Sequence, residues 1–130
     1  MKRLAFVMMV LASPAVAEGV PEAGQGVFQT FCAACHGMDA QGDGPMSNVL
    51  TVEPPDLTLL SQSNGGVFPV FRVVRQIDGR DPMMAHGGDM PLFGALFDFP
   101  DGSIKSESGQ PIITAQPIAD VAAWLESIQD

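Results

Sequence analysis

Apolar positions fall at helical spacing in three stretches of this chain. Ile118, Val121, Ala122, Leu125 and Ile128 make one stripe with Trp124 at its edge, which predicts a helix over 117–129. Val70, Val73, Val74 and Ile77 repeat the spacing. Pro69 suits the start of that helix and Gly79 the position just past its end. Over 22–34, Gly24, Phe28 and Cys32 stand four residues apart and share a face, with Pro21 in a first helical turn. The stretches between are loop-like. Residues 37–55 are rich in Gly, Pro, Asp and Asn, with one short turn expected over 46–50. Asp56 is a candidate N-cap for a short turn after Pro54-Pro55. Residues 78–91 read as loop, Phe93, Leu96 and Phe97 as a short apolar turn, and 99–116 as a polar connection. No repeat and no strand-rich stretch stands out, so the pattern describes short helices joined by long loops.

The first residues break from this pattern. Lys2 and Arg3 precede an unbroken apolar run, Leu4 to Ala12, and Ala15-Val16-Ala17 forms a small-x-small site. That order is a secretory signal, expected to be cut after Ala17. An uncleaved anchor is the other reading, but the run falls short of the roughly 20 residues that span a bilayer. The expected division is therefore a signal peptide at 1–17 and one domain at 18–130. Cleavage removes Lys2 and Arg3 and leaves four basic residues against fifteen acidic ones, a net charge of −11. Such a surface disfavours nucleic acid and anionic membranes and would steer basic partners, or it serves only to keep an exported protein in solution.

The chemistry is concentrated in Cys32-Ala33-Ala34-Cys35-His36. A C-x-x-C-H run is the attachment site of a c-type haem. Two thiols three residues apart share one face of a helical turn, where each adds across one vinyl group. The next residue, His36, then lies beneath the iron. Other uses of these residues fit less well. A thioredoxin-like pair follows a strand in a βαβ unit, which is not seen here. A zinc site would need His36 and His86, and the adjacent Cys35 and His36 reach two corners of one tetrahedron poorly. The two cysteines are thus spent on haem, and export places the chain where such haem is attached.

In order along the chain, Gly24 and Phe28, the C-x-x-C-H run, Gly42-Asp43-Gly44-Pro45, Met90-Pro91-Leu92-Phe93-Gly94 and a last helix with Trp124-Leu125 resemble a class I c-type cytochrome. The resemblance implies an all-α, small cytochrome c fold, with short helices and long loops wrapped around one covalently attached haem c. It implies that Gly24, Phe28 and Trp124 form the crossing of the first and last helices. Cys32 and Cys35 would be the thioether cysteines, His36 the proximal iron ligand and Met90 the distal one. Met83 and Met84 lack the Pro and Phe-Gly context of Met90 and read as packing. His86 is the rival ligand and would make a bis-histidine site. The resemblance also matches Pro45 to the carbonyl that orients His36. Arg72, Arg75 and Arg80 are candidates for the haem propionates, or Arg72 and Arg75 line a solvated helix face. Relatives often use a tyrosine there, and this chain has no Tyr.

The function this implies is a periplasmic monohaem electron carrier rather than an enzyme. No general base, nucleophile or substrate pocket is evident. Its partners would be a redox donor and acceptor, with no nucleic acid and no stable membrane anchor after cleavage, and the chain monomeric or loosely complexed. The alternative is a haem subunit of a larger periplasmic dehydrogenase or reductase, with 93–99 and 99–116 as contact surface. A sensing protein with a labile sixth position is a third reading, against which Met90-Pro91 argues.

Overall fold

A computed structural model of the protein describes residues 17–80 and 90–130. Residues 1–16, all but the last residue of the expected signal peptide, and Met83, Met84 and His86 lie outside the described residues. Among the described residues four helices carry the fold: α1 (Pro21–Phe31), α2 (Ala33–His36), α3 (Val70–Asp78) and α4 (Gln116–Ser127). Three-residue 3-10 turns at Ser47–Val49, Leu57–Leu59 and Gln62–Asn64 punctuate the long loop between α2 and α3. Asp56 caps the second, accepting the Thr58 N–H at 2.9 Å.

The crossing of α1 and α4 is the centre of the core. A Cβ on Gly24 would run into the Asp120 carbonyl and come within 2.9 Å of Trp124 Cβ, so only glycine lets the backbones approach this closely. One turn on, Phe28 is fully buried and its ring centre lies 4.6 Å from that of Trp124. The contact expected of Gly24, Phe28 and Trp124 is present. Asp120, buried on α4, fastens the start of α1 by accepting the Val20 N–H at 2.7 Å. Ile118, Val121, Ala122 and Leu125 complete the buried face of α4, and Val70, Val73, Val74 and Ile77 that of α3.

Two features depart from the sequence reading. The first helix does not run unbroken to Ala34. It ends at Phe31, Cys32 adopts φ −116° and ψ −32°, and α2 restarts at Ala33. The connection over 99–116 is not featureless either. It holds a hairpin of β2 (Gly102–Lys105) and β3 (Pro111–Thr114), paired Ser103 to Ile113 and Ile104 to Ile112. A two-residue strand, β1 (Ala17–Glu18), adds to β2 in parallel. The hairpin packs on α4, where Ile104 and Thr114 are buried. The fold is a small, mostly helical one with this minor hairpin added.

Candidate haem site

The cysteine motif is held by its own backbone and by the loop that follows. Cys32 O accepts the N–H groups of Cys35 and His36, and Ala33 O accepts that of Gly37. The next loop folds back under α2, with Met46 N–H donating to Ala34 O at 2.9 Å and Gly42 N–H to His36 O at 2.8 Å. These bonds satisfy carbonyls that a helix end leaves open. At Gly44 the fit leaves no room for a side chain, since a Cβ would sit 2.6 Å from the carbonyl oxygens of Ala33 and Ala34. Gly37, at φ 81°, needs the left-handed region to start the reversal.

Met90 comes to the site from a separate segment that is seated on the end of α3. Phe93 N–H donates to Ile77 O and Gly94 N–H to Asp78 O, both at 2.9 Å. Leu92 packs where a side chain on Gly79 would otherwise stand. Phe93 also begins a single turn, its carbonyl oxygen accepting the Leu96 and Phe97 N–H groups. Phe31, Phe93 and Phe97 form an aromatic cluster beside it, Phe31 and Phe97 meeting edge-on at 5.4 Å.

Cys32, Cys35, His36 and Met90 all line one cavity of about 550 Å³. Its other walls are mainly apolar and include Phe28, Leu57, Leu60, Val73, Ile77, Val121 and Leu125. The side chains facing it are predominantly apolar, so the walls suit a large apolar guest.

The polar groups agree with a haem. Neither cysteine is in a disulfide. Burial, and then the nearby Cys35, pushes the Cys32 thiol up to about 11, so it is no ready thiolate. His36 Nδ1 is buried with no hydrogen-bond partner. Burial holds the His36 pKa below its ordinary value, partly opposed by the Pro55 carbonyl. The ring is thereby kept neutral, the form that ligates a metal. The carbonyl that bears on the ring is that of Pro55, short of a hydrogen bond to Nδ1, where the resemblance matched Pro45. The loop crossing places it there: Leu57 N–H donates to Ala40 O, and Gly42 packs directly on Pro54 and Pro55. Of the three arginines, Arg72 lines the cavity. Arg75 lies 5.4 Å over the Phe71 ring, and Arg80 pairs with Asp78. Sequence reasoning missed Pro55, because any residue supplies a carbonyl. It also missed Asp78, whose partners are distant in sequence.

The comparisons agree with this geometry. The cytochrome c family matches the chain over residues 21–129. Among solved structures, the fold is similar to a chain of a reducing HAO-like protein complex from Kuenenia stuttgartiensis, with TM-score 0.56 and 22% identity. The match covers 89% of this chain and 46% of that one, so this chain spans less than half the length of its structural neighbour. No curated protein sequence matches it. Among the described residues no helix is long and apolar enough to cross a membrane. A family match over nearly the whole domain, together with a Cys32–Cys35 pair consistent with one covalent haem c, shows that the chain belongs to the cytochrome c family, typically electron carriers rather than enzymes.

Proposed function

We propose that the chain is an exported, periplasmic electron carrier whose single haem c is bound through Cys32 and Cys35 and whose iron is ligated by His36 and Met90. The observation that carries this reading is that these four residues, from two separate segments, line one cavity. When bound, the haem supplies a one-electron couple, and a thioether ligand raises its potential and closes the iron to other ligands. The chain's residues do the rest. Phe28, Leu57, Val73, Ile77, Val121 and Leu125 exclude water from the site. Buried surroundings and Phe28, with ring centres 6.3 Å apart, hold the His36 ring in place. Backbone bonds to Ile77 and Asp78 hold the Met90 segment. Arg72 is the cation on the cavity wall and is placed to meet a propionate.

Methionine scanning tests the ligand set. Met90→Ala is expected to abolish the sulfur-to-iron absorption band while Met83→Ala and Met84→Ala keep it. Loss of the band in either of those two, with Met90→Ala unaffected, would move the ligand elsewhere. The domain division predicts that the protein recovered from the periplasm begins at Glu18, which N-terminal sequencing reads directly.

A second reading is a haem subunit within a larger assembly. It is favoured by the structural neighbour, which is itself part of a protein complex. A stoichiometric partner co-purifying from the native periplasm supports it, and a free monomer at native abundance opposes it.

A further inference from the structure

Three parts of the chain meet at Asp78. Its main-chain oxygen accepts the Gly94 N–H of the Met90 segment at 2.9 Å. Its carboxylate accepts Arg80 Nε at 2.5 Å and Arg80 Nη2 at 2.7 Å. The same carboxylate accepts the hydroxyl of Thr114, on β3 of the hairpin, at 3.1 Å. Thr114 is fully buried and the Asp78 side chain is only 15% exposed, so the Thr114 bond is shielded from water, while the Arg80 side chain, 43% exposed, closes the outer side of the carboxylate. Gly94 lies so close that a Cβ there would strike the Asp78 carboxylate and carbonyl. Arg80 and Gly94, the latter four residues after Met90, are therefore both fastened to one residue. The hairpin, which the sequence pattern did not announce, braces that residue from the other side.

We infer that Asp78, braced by Thr114 and Arg80, is a positioning residue for Met90 and sets how firmly the thioether stays on the iron. The inference rests on the reading of Met90 as the distal ligand. A thioether is a weak ligand, and its hold depends on how far its segment can move away. Met90 is four residues from Gly94, so a fixed Gly94 keeps sulfur excursions short. Loosening the carboxylate leaves the main-chain bond to Gly94 in place but lets the residue that carries it shift, without touching any residue of the cavity wall.

The test is imidazole binding to the ferric, haem-loaded protein, with the reduction potential measured alongside. Imidazole competes with the sulfur, so its affinity reports how often Met90 is off the iron. Asp78→Asn and Thr114→Val each remove part of a charge-assisted contact, whose half-buried Thr114 arm is worth about tenfold in an equilibrium constant. Imidazole affinity is expected to rise about tenfold in Asp78→Asn and less in Thr114→Val, with a lowered potential in both. Asp78→Glu, which keeps the charge, should recover part of the loss. Lowered melting temperatures with unchanged imidazole affinity and potential would make Asp78 merely structural and overturn the inference. Met90→Ala, run in parallel, separates the two claims. If it keeps the sulfur-to-iron band, the ligand reading itself fails. If it loses the band while Asp78→Asn binds imidazole like wild type, only the brace fails.

Discussion

Two glycines on α1, two residues apart, are predicted to respond in opposite directions to the same substitution. At Gly26 a new Cβ meets nothing within 4 Å. Gly26→Ala therefore gains helix propensity alone and should stabilise the protein by about 0.5–1 kcal/mol. At Gly24 the same methyl strikes the Asp120 carbonyl and stands 2.9 Å from Trp124 Cβ. Both obstacles belong to the backbone or are one bond from it, so neither can rotate away. The helices must part by about 1 Å, an overpacking cost of about 1–3 kcal/mol. Separation also loosens the Phe28–Trp124 pair, at 4.6 Å between ring centres, a contact contributing about 0.5–1.5 kcal/mol. The propensity gain of about 1 kcal/mol cannot offset the sum, so Gly24→Ala should lose about 1–3 kcal/mol net. At about 4–8 °C per kcal/mol, the two variants should melt on the order of 10 °C apart on opposite sides of wild type. Trp124 is the only tryptophan, and bound haem quenches it until the chain unfolds, so its emission in a guanidinium titration is the assay. A Gly24→Ala protein as stable as Gly26→Ala would refute the crossing argument.

Other consequences can be measured separately. Phe28→Ala empties a fully buried site on the haem cavity and should cost about 3–5 kcal/mol, read as a lower guanidinium midpoint; a loss under 1 kcal/mol contradicts its place in the core. Cys32→Ala should leave haem held by one thioether, which mass spectrometry of the acid-extracted protein detects as a mono-linked product. The Arg80 guanidinium, through its hydrogen bond, holds the Asp78 carboxyl below its ordinary value. Its share of stability is thus present above the unfolded value of about 4 and is lost as pH falls through the lower folded one. The stability gap between wild type and Asp78→Asn should accordingly be widest near neutrality and close in acid; a gap independent of pH removes this assignment. With a net charge of −9 on the full chain, electron exchange with a basic redox protein should slow as the screening length shrinks from about 30 Å at 0.01 M salt to about 3 Å at 1 M. Flat rates across that range would discard electrostatic docking.

The helices were legible where one face is buried for their whole length. The stripe Ile118 to Leu125 and the run Val70 to Ile77 each mark a face pressed on the core, and the residues bounding α3 include Pro69 and Gly79 as expected. The hairpin was not legible because its strands are four residues long and show no clean alternation of buried and exposed positions, with the burial of Ser103 and Thr114 coming from tertiary contact. The β-branched run Ile112-Ile113-Thr114 was the available signal. At the site, the motif residues were legible because covalent haem attachment dictates their types and spacing. The groups that hold them were not. Pro55 acts on His36 through a carbonyl, and its place depends on how the loop over 40–57 crosses itself. Asp78 meets Thr114 across 36 residues of sequence, a distance no local pattern spans.

The most direct test of the account is the absorption spectrum of the haem-loaded protein, oxidised and reduced, with and without carbon monoxide. A low-spin c-type spectrum with the sulfur-to-iron band, unchanged by carbon monoxide, is the predicted result for iron closed by His36 and Met90. A high-spin spectrum, or rapid carbon monoxide binding, would show an open iron and contradict the electron-carrier reading.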